Sequence, residues 1–183
     1  MFFSQSVLHR YRFDAEGFAE YFRSWYYKDS KITYPLDPFS VLKKLGIHYT
    51  FRKLEKLEGV LLPYTDDTGT NLIAINSRRT IQRMRYSCVH ELCHFLKDTG
   101  NPEFDPMKCI PGAKSQIERF AESFAASFLM PRDEIKKAVS DRIRKCYLSL
   151  DDVLYIADFF GASFSACIVR VKQVIPEALP DVN

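Results

Sequence analysis

The chain has little of what marks the more specialised protein classes. Its five cysteines, Cys88, Cys93, Cys109, Cys146 and Cys167, are odd in number, scattered and never in CxxC spacing. That argues against a disulfide framework or a cysteine-based zinc knuckle and fits a reducing compartment. No uncharged apolar run approaches the roughly 20 residues needed to span a bilayer, and the opening MFFSQSVLHRYRF lacks the apolar core of a signal peptide. The expected localisation is therefore cytoplasmic, with no membrane partner. A net charge of +3 is too small to announce nucleic acid or an anionic membrane as the main partner. Internal repeats and low-complexity tracts are absent. Histidine is scarce as well, with four in 183 residues.

What remains is an ordinary globular composition, 46% apolar, enough for one well-packed core. Asp14 to Lys28 carries Phe18, Tyr21, Phe22 and Trp25 at helical spacing behind an N-cap aspartate, and Pro35 and Pro38 break the chain after it. A short helix, PFSVLKKLG, ends at Gly46. From Ile47 to Asn76 the pattern is extended: IHYTFRKL, then GVLLPY and NLIAIN around the turn TDDTGT, a hairpin signal. After Ser77 the chain reads as helical almost to its end. The expected fold class is α+β, a small antiparallel sheet packed on a helical bundle.

Two of the four histidines fall in CVHELCHFLKD, Cys88 to Asp98. Read as one helix from Ser77 to about Lys97, this segment is apolar over most of its circumference, so it should be central and buried. His90 and His94 then lie about 40° apart and one turn of ~6 Å along the axis, with Glu91 about 100° from His90. Burying three ionisable groups without partners costs several kcal/mol. A divalent metal compensates that cost: histidines one turn apart can converge on one zinc ion, leaving positions for a third ligand and a water. Glu91 is then placed to take the proton of that water during attack on a carbonyl. The bland alternative is a pair of core histidines bonded to carbonyls.

The next amphipathic segment, SQIERFAESFAASFLMP, offers Glu118 and Glu122 as further carboxylates on the flank of an apolar stripe, with Ala121 and Ala125 small enough for another helix to approach. Ser115-x-x-Glu118 also has the form of a capping box, and Glu122 reads equally well as a surface residue. Spacing leaves both open as metal ligand, and a ligand followed one turn later by an acid that orients an imidazole would divide the work between them.

Taken together, INS, HELCH and ERFAESFAASFLMP resemble the ImmA/IrrE-type metallo-endopeptidases, most closely from about Asn71 to Pro131 and not over the first 40 or so residues. The resemblance implies a zincin-like fold with the HExxH helix central, one zinc ion held by His90, His94 and Glu118, and Glu91 as general base. It also implies an intracellular protein substrate, typically a helix-turn-helix transcriptional repressor of a mobile element or stress response. In this organisation residues 1–46 form a helical segment packed on the core, 47–147 the peptidase core and 148–183 a helical pair, all within one compact domain. Two positions depart from the family pattern: Cys93 stands where glycine is usual, and Glu122 where Asn or Asp is usual.

Around such a site the hairpin could pair with an extended substrate through an exposed edge strand. Tyr64, Arg85, Tyr86 and Tyr155 are candidate oxyanion donors that spacing does not separate. The segment LSLDDVLYIADFFGASFSACIVRVKQV has the layout of a helix-turn-helix and supports a rival class, a DNA-binding regulator with an inactive metal site. Its second helix offers only Arg170 and Lys172 as basic groups, few for reading base edges.

Overall fold

The computed structural model describes residues 3–64, 69–99, 115–143 and 147–179. The tip of the expected hairpin turn, Cys109 and Cys146 lie outside these residues. The fold is α+β, as the patterning predicts. Helices α1 (Gln5–Arg10), α2 (Ala15–Tyr26) and α3 (Pro38–Lys44) precede strands β1 (His48–Arg52), β2 (Gly59–Leu62) and β3 (Leu72–Asn76). Five helices follow: α4 (Ile81–Lys97), α5 (Gln116–Leu129), α6 (Arg132–Ser140), α7 (Leu150–Phe160) and α8 (Phe164–Val174). No single helix among the described residues is long and apolar enough to cross a membrane.

Local chemistry sets the ends of these elements. Asp14 caps α2 by accepting from the Gly17 N–H at 2.8 Å. Asp37 caps α3, whose first residue is Pro38, where a missing N–H costs nothing. The HExxH helix begins at Ile81 rather than Ser77, because Asn76 Oδ1 holds the Arg78 N–H in a turn and Thr80 provides the cap. Likewise α6 begins at Arg132, with Pro131 as the capping residue, and buries Ile135 and Val139 beneath its charged face.

The sheet corrects one expectation. Its order is β1-β3-β2, with β2 antiparallel to β3 as the hairpin pattern predicts, but with β1 parallel to β3. The sheet is mixed rather than antiparallel. Turn chemistry reports only the β2–β3 partnership; the neighbour of β1 is chosen by burial. With Ile73 and Ile75 fully buried, β3 is the strand that gains most from the centre. Asn76 then organises the chain that crosses from β1 to the far edge: its Nδ2 donates to the carbonyls of Leu54 and Leu57, both at 2.8 Å.

Between sheet and bundle lies α4, buried from Ser87 to Leu96. One side takes β2 and β3; another takes α5, where Ala121 and Ala125 are fully buried and leave room for close approach. On the far side of α5 sits α2, joined through a run of rings. Phe18 meets Phe120 and Phe124, and Phe22 meets Phe124 and Phe128, with centroids 5.4 to 6.3 Å apart. Each such buried phenylalanine contributes about 1.5–3 kcal/mol, so α2 is part of the core that holds α5, and hence Glu118, in place.

Helices α7 and α8 meet at about 100° across Gly161, which is left-handed at φ 59°. Ser149 and Asp152 form a reciprocal capping box on α7, and Ser163 caps α8. The two helices thus form a bent pair joined by a tight turn.

Candidate metal centre

His90 and His94 project from consecutive turns of α4 toward the first turn of α5, and the group is buried: His90, Glu91, His94 and Glu118 are at most 3% exposed. The two imidazole Nε2 atoms lie 3.1 Å apart. Glu118 Oε2 is 3.2 Å from His90 Nε2, and Oε1 is 3.3 Å from His94 Nε2. Ser115 caps α5 by accepting from the Glu118 backbone N–H, while the Glu118 carboxylate turns inward instead of back to Ser115. Only half of a capping box forms, and the freed carboxylate meets the histidines.

These contacts do not close as hydrogen bonds. Both Glu118 oxygens are buried without satisfactory donor geometry although ring nitrogens stand beside them. Two ring nitrogens 3.1 Å apart and a carboxylate 3.2–3.3 Å from them converge on one focus, where a positive charge is favoured. One ligand atom from each of the three residues falls within 4.8 Å of the others. That donor set, two imidazoles and a carboxylate, fits a divalent cation.

Asp98, which the spacing argument passed over, completes the arrangement. Its Oδ2 lies 2.8 Å from His94 Nδ1, both groups buried. Burial presses the His94 pKa down, but the carboxylates of Asp98 and Glu118 beside the ring outweigh it and raise the value to about 9. The same histidines hold Glu118 well below the ordinary carboxylate range against the opposing effect of burial. The signal for Asp98 was present in the chain, four residues beyond His94 on the same helix, where it also serves as the C-cap of α4. Glu122, the sequence candidate for an outer acid, lies on the rim of the small cavity that His90 and Glu91 line, and its carbonyl accepts from Tyr86 Oη at 3.1 Å.

Glu91 stands apart from the three converging groups and faces β2. The Leu61 backbone beside it favours the ionised form, and Gly59 leaves the space its side chain fills: a methyl group there would lie 3.1 Å from Glu91 Cγ and 3.2 Å from Oε1. Burial raises the Glu91 pKa, a shift the neighbouring histidines oppose. A cavity of about 60 Å³ is bounded by Glu91, His90, Ser87, Tyr86 and the rim residues Glu58, Arg83 and Glu122, enough space for water beside the carboxylate.

Of the four candidate oxyanion donors, Tyr86 is the one at this cavity. Arg85 points elsewhere, donating to the carbonyls of Gly161 and Leu36, both at 2.6 Å. Tyr64 is exposed, and exposed Tyr155 lies under the Arg142 guanidinium. Cys93 is fully buried, and burial followed by the Asp98 charge pushes its thiol well above the usual range. It packs as a small protonated side chain.

Comparison with known proteins agrees with this geometry. No curated protein gives a significant match. Among solved structures, one titled Mycobacterium tuberculosis transcriptional regulator is similar in fold, with a TM-score of 0.58 at 14% identity over 91% of this chain and 51% of that one. The chain thus spans about half the length of that protein. Residues 42–172, well over half the sequence and reaching from the end of α3 into α8, match the peptidase family described as IrrE N-terminal-like domain. With the HExxH helix, the glutamate helix and their converging side chains all inside that span, the chain belongs to the IrrE N-terminal-like family of metallopeptidase-type domains.

Proposed function

We propose that this protein is a zinc-dependent endopeptidase that cleaves a specific protein substrate, a helix-turn-helix transcriptional repressor being the substrate class the family resemblance implies. The observation that carries the reading is the division of labour among buried carboxylates: Glu118 faces both histidines while Glu91, equally buried, faces a cavity and the β2 backbone. His90, His94 and Glu118 would hold the metal, which when bound supplies Lewis acidity toward water and the scissile carbonyl.

The remaining chemistry falls to the chain's own residues. Asp98 accepts the Nδ1 proton of His94 and so leaves the Nε2 lone pair free for ligation. Glu91, with its pKa raised by burial, accepts the proton of the attacking water and returns it to the leaving amine. The Leu61 backbone and the bare Cα of Gly59 fix where that carboxylate sits. Because β2 is at the edge of the sheet, an extended substrate can lie along it as a further strand, which presents a backbone carbonyl beside Glu91.

The test compares wild type with Glu91→Gln, zinc content by elemental analysis and cleavage of candidate repressors with and without chelator. The expected result is one zinc per chain in both, cleavage only in wild type and loss of cleavage on chelation. A protein that binds no zinc, or a variant that still cleaves, ends this reading.

A second reading, DNA binding through α7 and α8, has the 100° helix pair in its favour. Against it, Arg170 is turned inward, donating to the Met130 carbonyl and paired with Glu16. One of the two basic groups of the second helix is thereby spent on packing. Retained shifts of operator DNA in the Glu91→Gln protein would favour this reading instead.

A further inference from the structure

A groove of about 660 Å³ runs between α5 and α8. It shares a wall with the Glu91 cavity, since Arg83, Tyr86 and Glu122 border both. Ala126, Ala162 and Ala166 leave its floor shallow and apolar, and the volume is within the ~300–1,000 Å³ typical of ligand sites.

Its electrostatics are one-sided for a reason visible in the ion pairs. Glu58 is shared by two guanidinium groups, Arg79 at 2.8 Å and Arg83 at 3.2 Å. Glu16 is likewise shared by Arg132 and Arg170. The Glu58 trio thus leaves one positive charge over, and its Arg83 borders the groove, whereas Arg170 of the Glu16 trio borders it as a buried, paired guanidinium. Exposed Arg119, on the outer face of α5, adds a second accessible cation to the lip. Among the described residues bordering the groove, Glu122 is the only carboxylate.

We infer that this groove binds an acidic stretch of the substrate polypeptide, so that the protein reads Asp or Glu on one side of the scissile bond at a distance of several residues. The inference rests on the endopeptidase reading and deepens it: β2 would align the backbone at the cut, and the arginine-bordered groove would select the sequence beyond it. Continuity with the cavity points to the chain being cut rather than to a separate ligand.

Binding and cutting test this separately. Fluorescence anisotropy on zinc-loaded Glu91→Gln protein would compare a labelled peptide of alternating Glu and Leu, its Lys and Leu counterpart, and a random DNA duplex. At low salt the acidic peptide should bind about tenfold tighter than the basic one. That preference should collapse in Arg119→Glu and in Val169→Asp, both at exposed positions, with zinc content unchanged. In parallel, wild type is given cyanogen bromide fragments of a whole-cell lysate, and new termini are mapped by mass spectrometry. Acidic residues should be enriched on one side of the cuts, and the enrichment lost in Arg119→Glu. Equal binding of the two peptides, a preference that survives both substitutions, or tighter binding of DNA overturns the inference. Cuts without acidic enrichment overturn it while leaving the endopeptidase reading intact. Acidic-peptide binding without any cut keeps the groove's selectivity and removes the endopeptidase reading instead.

Discussion

Asp98 Oδ2 and His94 Nδ1 lie 2.8 Å apart at the C-terminal end of α4, four residues from each other and both out of contact with water. As acceptor of the Nδ1–H, the carboxylate favours the tautomer whose Nε2, the atom that faces His90 and Glu118, is free of a proton. Replacing it with Asp98→Ala removes that orientation without touching a ligand. Metal affinity should fall by about 10- to 100-fold, measured by competition with a zinc-binding dye, with Asp98→Asn intermediate. An unchanged affinity in Asp98→Ala would mean that packing alone orients the ring.

Gly59 faces Glu91 without a side chain. In Gly59→Ala the new methyl group would stand 3.1 Å from Glu91 Cγ, so the carboxylate has to shift by a few tenths of an ångström. If Glu91 is the general base, turnover should drop by about tenfold or more, while zinc content and the urea midpoint stay near wild type. A drop in stability instead of turnover would assign Gly59 a packing role.

Gly161 combines two constraints. Its φ of 59° disfavours any Cβ, and an alanine methyl group would fall 1.5 Å from Arg85 Nη1, breaking the bond to the Gly161 carbonyl that ties the α7–α8 turn to α4. Gly161→Ala should cost about 2–4 kcal/mol by chemical denaturation. Combining it with Arg85→Met should recover part of the loss, since the clash partner is then smaller and uncharged.

The Glu16 trio links the N-terminal helices to α6 and α8. Burial would raise the Glu16 pKa, but Arg132 and Arg170 outweigh it and hold it below its ordinary value of 4.5. A depressed folded-state pKa stabilises the fold above the unfolded value, and this is lost as pH falls through the folded value. Glu16→Gln should therefore be less stable than wild type by about 1–3 kcal/mol near neutral pH. The gap should narrow below about pH 4. Urea titrations of both proteins across that range check the sign; a gap that widens in acid would contradict it.

Much of the candidate metal centre was written locally. The i, i+4 spacing of His90 and His94 on an all-round apolar helix places two imidazoles on one arc, and Ser115 starting a helix at Gln116 puts Glu118 on its first turn. Such features depend on residues within one or two helical turns, where backbone hydrogen bonds dictate direction. The caps at Asp14, Ser149 and Ser163, the left-handed Gly161 and the β2–β3 hairpin belong to the same class.

Other relationships came only with packing. That β1 lies parallel to β3, that β2 is left at the edge beside Glu91, and that Phe18 and Phe22 of α2 lock onto α5 all depend on which apolar faces bury each other across long stretches of chain. Which of Glu118 and Glu122 faces the histidines was decided the same way, by the rotation of α5 against α4, with Ala121 and Ala125 buried between the helices. Periodicity states that a face is apolar. It takes the competition among all such faces for the same buried space to settle which charged neighbour is carried inward to the histidines and which is left at the rim.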